Sequence, residues 1–466
     1  MVHHYSDQRD SIKMAFKFSE ILGDYFISPV KDLILTKCNF NSRKEEQGYT
    51  IFNKDKLDFL YIDKIGHDFF INIDGKRSIK EISQTIKGKN QISYYKICLS
   101  ILQNLKFLKE KEFIFIDNLP DYKIRVKKDY SFPKISAPNQ ISWLMTNECN
   151  LRCSHCGNTS RAKKENELTT KEAKDFIKYI ADNGVFVLDI SGGEPLIRKD
   201  AIELFKYARS LGLEMGMTSN GTLVTEKLAK ELKEVGMYNI HISLDGIGEV
   251  HDKFRNMKGT FDKVYNTIKL FKKYKVPFGI TTSISKLNFS DFDRIKDFVI
   301  KENIKSWEIY YAIPIGCMQK KIALDEKELV KFSKKIEQFK KELDGKCKIF
   351  LGDSLGYYGK HKIRDEPWNG CLAGLNHLAI DPEGNIKGCP IHPNELIEGN
   401  IRKDDLMKIW QSNDTFSYNR KPQKLEKHCK SCKHSEICRG GCKALMYCLT
   451  GNLKYNPMCL KYIESK

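Results

Sequence analysis

The feature that most constrains this chain is a set of three closely spaced cysteines just after a short apolar segment. Residues 141–145 have the length and composition of a buried strand, and Cys149, Cys153 and Cys156 follow it. The pattern predicts a loop at the C-terminal end of a strand that carries three thiolate ligands. A closed structural zinc site uses four protein ligands, so three leave one position open. An iron–sulfur centre with an open iron, an incomplete zinc site and three buried thiols are the alternatives at this point.

Length and cysteine usage limit the class of protein. The chain has 466 residues, which predicts two or three domains. It has no run of about 20 apolar residues and no apolar core of a secretory signal, so we expect a cytoplasmic protein without a membrane partner. Its 15 cysteines concentrate toward the C-terminus at short spacings, which indicates metal sites rather than disulfides.

The formal net charge of +19 raises the question of nucleic-acid binding. The lysines alternate with glutamates along predicted helices, as in residues 226–234, which is typical of solvated helix faces. The distribution favours a basic surface for an acidic peptide or protein and does not favour nucleic acid.

Residues 141–325 alternate between strand-like and helix-like segments, which predicts a parallel sheet covered by helices. Six such units predict an α/β fold with a partial (β/α)6 barrel, whose active groups lie at the C-terminal ends of the strands. The predicted strands are 141–145, 185–190, 213–218, 239–243, 278–284 and 306–310, and the predicted helices are 170–183, 201–211, 225–235, 260–274 and 291–302.

The remaining regions have different patterns. Residues 1–125 are predicted to form a winged-helix-like domain, with a strand at 49–53, helices at 78–86 and 93–108, and a β-ribbon after the helices that includes 113–116. The polar segment 126–140 contains two prolines and is a predicted linker. Residues 326–365 are a predicted helical connection, and 366–466 a cysteine-rich domain.

The three-cysteine motif resembles the signature of radical S-adenosylmethionine (SAM) enzymes, and Gly192-Gly193-Glu194-Pro195 after the next strand resembles their SAM-amine motif. The resemblance implies that Cys149, Cys153 and Cys156 hold a 4Fe–4S cluster whose open iron binds SAM, and that a 5′-deoxyadenosyl radical is produced there. The SAM contacts implied by the resemblance or by polar strand ends are His155, Gly192, Gly193, Glu194, Ser219, Asn220, Ser243, Asp245 and Arg255.

The C-terminal cysteines resemble the seven-cysteine SPASM pattern, which implies two auxiliary 4Fe–4S clusters and three clusters in all. By this resemblance, Cys429, Cys432, Cys438 and Cys459 hold one cluster. Cys371, Cys389 and Cys442 hold the other, which lies nearer SAM. A zinc ribbon would be preferred only if this array stood alone. The sequence leaves open whether the inner cluster has an open iron or a fourth ligand from Cys317, Cys347 or Cys448.

The layout of the chain resembles thioether-forming (sactipeptide-type) peptide maturases. Residues 74–82 resemble part of the small domain that binds the leader of ribosomally made peptides. The expected function is therefore an oxidoreductase that modifies a leader-bearing precursor peptide, supplied with electrons by a flavodoxin- or ferredoxin-type reductant. A carbon–carbon cyclase, an epimerase and a decarboxylating cofactor-biosynthesis enzyme share these motifs, and an iron–sulfur DNA-binding regulator is a more remote alternative. Pro390 stands where sulfatase-maturing members have an aspartate, which argues against that substrate.

Overall fold

The protein is described here by a computed structural model, which covers residues 27–28, 30–89, 92–116, 119, 134–352, 354 and 370–466. The chain divides into two compact units between Ser136 and Ala137. Most of the predicted linker, residues 126–133, and residues 355–365 of the predicted connection lie outside the described residues. Among the described helices, none combines the length and the apolar character needed to cross a membrane.

The first unit contains a three-stranded antiparallel sheet followed by three helices. Its central strand and its second and third helices lie where the sequence predicts them. The strand predicted at 113–116 is present as a short strand, and its partner lies before the helices instead of after them, so no β-ribbon follows the helices within the described residues. The elements are β1 (Thr36–Lys37), β2 (Phe40–Lys44), β3 (Tyr49–Asn53), β4 (Asp58–Ile62), α1 (Lys64–Asn72), α2 (Ile79–Lys89), α3 (Tyr94–Glu110) and β5 (Ile114–Phe115), with β1 paired to β5.

Local sequence explains these helix starts. The Asp63 side chain accepts a hydrogen bond from the Gly66 amide at 2.6 Å and caps α1. Before α2, the Ser78 amide donates to the Glu81 carboxylate and the Glu81 amide donates to the Ser78 hydroxyl, which is the capping box predicted at this spacing. The helices bury one apolar face against the sheet, with Ile97 fully buried.

The second unit is built on a ten-stranded sheet. Its strands are β6 (Gln140–Leu144), β7 (Val187–Ser191), β8 (Glu214–Ser219), β9 (Asn239–Ser243), β10 (Phe278–Ile284), β11 (Ser306–Tyr311), β12 (Lys348–Leu351), β13 (His377–Ile380), β14 (Asn385–Lys387) and β15 (Ile397–Asn400). Between and after them lie α4 (Thr170–Asp182), α5 (Ala201–Ser210), α6 (Glu226–Val235), α7 (Glu249–Arg255), α8 (Thr260–Tyr274), α9 (Phe292–Lys301), α10 (Glu326–Glu342), α11 (Leu406–Gln411), α12 (Ser417–Arg420), α13 (Lys427–Lys430), α14 (Ser435–Cys438), α15 (Lys443–Thr450) and α16 (Leu460–Ile463).

Strands β6 to β12 run parallel in sequence order, as the alternation of strands and helices predicts. The predicted partial α/β barrel is confirmed. Strand β12 was not predicted and lies in the region expected to be helical. On the other side, β13 pairs parallel with β6 and is followed by antiparallel β14 and β15, so the cysteine-rich region continues the barrel sheet.

Candidate active site

A cavity of about 430 Å³ lies at the C-terminal ends of strands β6 to β11. The three cysteines of the loop 149–156, here called the cysteine loop, line its wall. Seven of the predicted SAM contacts line the same cavity: His155, Gly192, Gly193, Ser219, Asn220, Ser243 and Arg255. The other two, Glu194 and Asp245, are fully buried outside this lining and bond to residues that belong to it.

Two sulfur atoms of the cysteine loop accept hydrogen bonds from backbone amides. The Leu151 amide donates to Cys149 Sγ and the Ser160 amide donates to Cys156 Sγ, both at 3.4 Å. Burial raises the pKa of Cys149, so this thiol needs a bound cation to become a thiolate. A metal ion deprotonates a thiol outright, and the amide donors then stabilise the resulting charge.

The glycine pair docks its loop onto the segment that enters the cysteine loop. The Gly193 amide donates to the Thr146 carbonyl at 2.7 Å, and the Glu194 amide donates to the Glu148 carbonyl at 2.8 Å. A Cβ atom on Gly193 would lie 2.0 Å from the Glu148 carbonyl oxygen. Only glycine permits this approach, so the motif positions the cysteines as well as facing the cavity.

The Glu194 carboxylate ties the loop after β7 to the loop after β8. It accepts hydrogen bonds from the Ser219 hydroxyl at 2.9 Å and the Asn220 amide at 2.7 Å. Burial raises its pKa, and the hydrogen bonds oppose that shift. The Asn220 side chain in turn donates to Asn150 Oδ1 at 2.8 Å. Three strand-end loops are thereby fixed around one cavity.

Arg255, at the end of α7, is a buried cation beside the cysteine loop. It forms an ion pair with Asp245, and its Nη1 lies 3.8 Å from Cys153 Sγ. Burial alone would lower its pKa, but the Asp245 carboxylate and Cys153 together raise it above the ordinary value. Asp245 is held from behind by the Ser283 amide at 2.8 Å. A permanently charged guanidinium in this position can bind a ligand carboxylate.

His155 presents a neutral aromatic ring to the cavity. Its ring stacks on Phe254, with centroids 4.1 Å apart and planes 24° apart. Burial, reinforced by the Arg255 charge, places its pKa well below the ordinary histidine value. An uncharged flat ring is suited to stacking against a heteroaromatic base, and the role of His155 near adenine stays a prediction.

Two lining residues, Glu308 and Tyr310 of β11, are not among those that the sequence predicts for the site. Cys389 and Pro390 also line the cavity, from the cysteine-rich region. The alternation of buried and half-buried side chains along β11 could have indicated the first two. Nothing local in the sequence indicates that the loop after β14 reaches the barrel cavity, because that contact depends on the pairing of β13 with β6.

Four of the C-terminal cysteines line a second cavity, of about 340 Å³, and their grouping as ligands of one cluster stays a prediction. They are Cys429, Cys432, Cys438 and Cys459. Burial, followed by the charges of the neighbouring cysteines, raises the pKa of Cys438 to about 12. Among the described residues, no three His, Cys, Asp or Glu side chains converge closely enough to hold a single metal ion. Ligands of a cubane cluster bind separate irons and stand around a volume, which is the arrangement these four thiols have.

The other three array cysteines, Cys371, Cys389 and Cys442, affect the pKa values of two buried side chains, Tyr418 and Lys443. The pKa of Tyr418 is raised by burial and then by Cys371 and Cys389. The pKa of Lys443 is lowered to about 8 by burial, against the attraction of cysteines that include Cys371 and Cys442. Because Cys389 also lines the barrel cavity, this group is the one that approaches the predicted SAM site.

Family models match two parts of the second unit. The radical SAM superfamily matches residues 143–299, and SPASM, an iron–sulfur cluster-binding domain, matches residues 371–433. The AdoMet-dependent heme synthase of Methanosarcina barkeri (strain Fusaro / DSM 804) is 30% identical over 341 residues, which are 70% of this chain and 97% of that protein. The chain belongs to the radical SAM superfamily. It is an enzyme of that superfamily with a SPASM domain, as the two cysteine motifs predict.

Further similarities extend this assignment. Mycofactocin maturase MftC of Mycolicibacterium smegmatis (strain ATCC 700084 / mc(2)155) is 29% identical over 335 residues, covering 67% of this chain and 80% of the maturase. The structure of Streptococcus suis SuiB bound to precursor peptide SuiA matches with a TM-score of 0.66 and 18% identity, over 91% of this chain and 100% of that one. At this identity the SuiB match establishes a shared fold.

The cofactors of this radical SAM enzyme are 4Fe–4S clusters and SAM. The residues of the barrel cavity fit both groups: three thiols with amide donors, a buried guanidinium, a neutral ring and polar strand ends surround one space. When bound, the cluster supplies the electron that cleaves SAM. Cys149, Cys153 and Cys156 could hold the cluster, and Arg255, paired with Asp245, could hold the SAM carboxylate.

Proposed function

We propose that this radical SAM enzyme modifies a ribosomally synthesised precursor peptide and forms thioether (sactionine-type) cross-links in it. The observation that carries the proposal is the extent of the SuiB match. That match covers 91% of this chain, whereas residues 137–466 alone are less than three quarters of it. The similarity therefore reaches into the first unit, and the solved relative is bound to a precursor peptide.

The first unit has a surface suited to an extended leader. In its sheet, β3 is central, so β2 and β4 each have an outer edge. An edge strand carries backbone donors and acceptors that can pair with an added peptide strand, and recognition of this kind tolerates many side-chain sequences. We assign leader binding to this sheet.

The ten cysteines divide into three ligand groups in this proposal. Cys149, Cys153 and Cys156 hold the SAM cluster, the four cysteines of the second cavity hold the outer auxiliary cluster, and Cys371, Cys389 and Cys442 hold the inner one. Forming a thioether from a thiol and a C–H bond is an oxidation, so the auxiliary clusters serve as electron acceptors. A flavodoxin- or ferredoxin-type protein supplies the reducing electron, and a chain with 15 cysteines, ten of which serve as metal ligands in this proposal, suits a reducing, cytoplasmic location.

A second candidate is a cofactor-biosynthesis reaction on a small molecule. It is favoured by the heme synthase, of which 97% is covered by the match. An enzyme that acts on a small molecule does not need to bind a leader. The effect of deleting the first unit therefore discriminates between the two candidates.

The test uses the small peptide encoded beside the gene, produced with its leader. The reconstituted enzyme, SAM and dithionite are expected to give a product two mass units lighter for each cross-link, with the linked cysteine resistant to alkylation. Deleting residues 1–136 should preserve substrate-free SAM cleavage and abolish or greatly slow cross-linking. The matched control is the full-length enzyme with a leaderless peptide, which should behave like the truncated enzyme with the complete peptide.

Three other outcomes are informative. Equal turnover by the full-length and truncated enzymes would remove leader binding from the first unit. An unchanged peptide mass with deuterium taken up from D2O would indicate epimerisation. Loss of a carboxyl mass would favour the decarboxylating candidate.

A further inference from the structure

Strand β11 presents a carboxylate to the barrel cavity. Along this strand the side chains alternate, so that Trp307 and Ile309 are fully buried while Glu308 and Tyr310 line the cavity. Among the described residues that line the cavity, Glu308 is the one aspartate or glutamate. The same cavity contains the cysteine loop and Cys389, so Glu308 shares a space with the predicted SAM site and the inner cysteine group.

The carboxylates closest to this cavity differ in how many partners they have. Glu194 is fully buried and accepts three hydrogen bonds, from Ser219, Asn220 and Leu196. Asp245 is fully buried and paired with Arg255. These two are structural anchors. The Glu308 side chain is 24% exposed and faces the space that a substrate would occupy.

The contacts of Glu308 leave it able to accept a proton. Tyr310 donates its hydroxyl to Oε1 at 2.5 Å, and Thr281 donates its hydroxyl to Oε2 at 3.3 Å. The nearest basic group recorded is His241 Nδ1, 3.7 Å from Oε2. A carboxylate has about four lone-pair sites, and two donors leave the others for a substrate group. Donors that are themselves neutral hold the carboxylate in place without pairing its charge with a lysine or arginine.

We propose that Glu308 is the base that takes the proton released when the cross-link closes. This inference rests on the proposed thioether function. Closing a C–S bond from C–H and S–H removes one hydrogen atom, one proton and one electron from the peptide. The hydrogen atom goes to the 5′-deoxyadenosyl group of SAM, the proton goes to Glu308, and the electron goes to a 4Fe–4S cluster of the SPASM domain. The hydrogen atom, the proton and the electron that leave the peptide thus each have an acceptor at the barrel cavity.

The part of the SPASM domain that lines this cavity, residues 389–391, contributes no carboxylate, so Glu308 is the base available there. The residue after Cys389 is Pro390, which lines the cavity but has no ionisable side chain. The titratable groups that interact with Glu308 in the described part of the chain are Tyr310, His241, Asp189 and Tyr238, and the cation Arg255 lines the same cavity.

The experiment compares full-length wild type with Glu308→Gln and Glu308→Asp, in D2O with precursor peptide, SAM and dithionite. Glu308→Gln should slow cross-linking by about 100-fold or more, because the amide cannot act as a general base. Formation of 5′-deoxyadenosine should stay within about threefold of wild type. Recovered peptide should carry carbon-bound deuterium, because the carbon radical that fails to close is quenched by reductant and solvent.

Glu308→Asp should recover part of the cross-linking. Glu249→Gln, the same change at an exposed carboxylate on α7, is the matched control and should retain wild-type cross-linking.

The outcomes separate the base from its alternatives. Wild-type cross-linking by Glu308→Gln would overturn the inference. So would a parallel loss of deoxyadenosine and product in a variant with normal iron content and circular dichroism, because that pattern indicates substrate binding. If wild type itself leaves the peptide mass unchanged, the thioether function fails and the base fails with it, whereas the first two results remove the base alone.

Discussion

The two thiol-lined cavities of the second unit differ in what accompanies the sulfur atoms. The barrel cavity has three loop cysteines together with a buried guanidinium, a neutral histidine and a carboxylate. The C-terminal cavity has four cysteines, closed on one side by His428 stacked on Tyr462 with centroids 3.8 Å apart. Cys389 also lines the barrel cavity, but in the proposed grouping it belongs to the inner SPASM cluster, which leaves three thiols for the cluster that binds SAM. Three thiols among polar groups leave space for a small molecule, and four thiols leave a cluster no open iron. In the proposed grouping, the number of ligands and the polarity of their neighbours together separate a site for chemistry from a site for electrons.

The largest expected effect comes from removing the barrel thiols. Changing Cys149, Cys153 and Cys156 together to alanine should lower the iron content from about twelve to about eight atoms per chain and abolish SAM cleavage. The reason is that the two SPASM groups keep their ligands. Iron analysis and chromatography of 5′-deoxyadenosine measure both effects. Zinc in place of iron, or continued SAM cleavage, would falsify the assignment.

Breaking the inner SPASM group should separate SAM cleavage from product formation. Cys371→Ala or Cys389→Ala is expected to preserve 5′-deoxyadenosine formation and to eliminate the cross-linked peptide, because the electron then has no acceptor. Mass spectrometry of the peptide beside quantitation of deoxyadenosine tests this. Normal cross-linking in both variants would remove this group from the reaction.

A smaller effect, on SAM affinity, is expected from changing Asp245, which holds the Arg255 guanidinium in place. Asp245→Asn removes the charge that holds Arg255 in the barrel cavity, and it should weaken SAM binding by about 10- to 100-fold while iron content is retained. Equilibrium dialysis of SAM under anaerobic conditions measures this. Glu249→Gln changes an exposed residue on α7, the helix that carries Arg255. It is the control and should leave the affinity for SAM unchanged. An unchanged affinity in Asp245→Asn would mean that Arg255 needs no anchor.

The smallest effect is expected at Cys317, Cys347 and Cys448, which lie outside the three ligand groups. Cys317 lies 3.0 Å from an Arg161 nitrogen, and Cys448, after burial, contributes to the raised pKa of Tyr311. We expect serine at position 317, 347 or 448 to leave the iron content within error of wild type, because none of these thiols lines either cavity. Loss of about one to four irons in any of the three would identify the fourth ligand of the inner group.

The sequence was sufficient for the parts of the fold that depend on local pattern. Strands β9 and β10 and helix α8 occupy the predicted residues, because alternating apolar positions and capping residues act over a few neighbours. The same holds for the cysteine loop, whose spacing determines its chemistry. Strand β12 could not be predicted, since its pairing with β11 comes from a segment beyond a long helix.

The parts of the site that were missed depend on distant contacts. Glu194 and Asp245 were predicted to contact SAM, and their placement behind the lining follows from bonds to Ser219 and Arg255 across different loops. Those two contacts with SAM stay predictions. Glu308 was missed because a glutamate on a half-buried strand has no motif of its own, and its importance appears only when the cavity is assembled.

The pairing of β13 with β6 has a consequence for how the enzyme is made. His377 lies beside Gln140, so the edge of the barrel sheet is covered by residues that leave the ribosome long after the cysteine loop. Until then β6 is an uncovered edge strand, which is open to pairing with other chains. The pairs from β6 to β12 join consecutive strands and can form during synthesis, whereas closure of this edge needs a contact between residues far apart in the sequence and comes last. Chains that stop before β13 should therefore aggregate through β6.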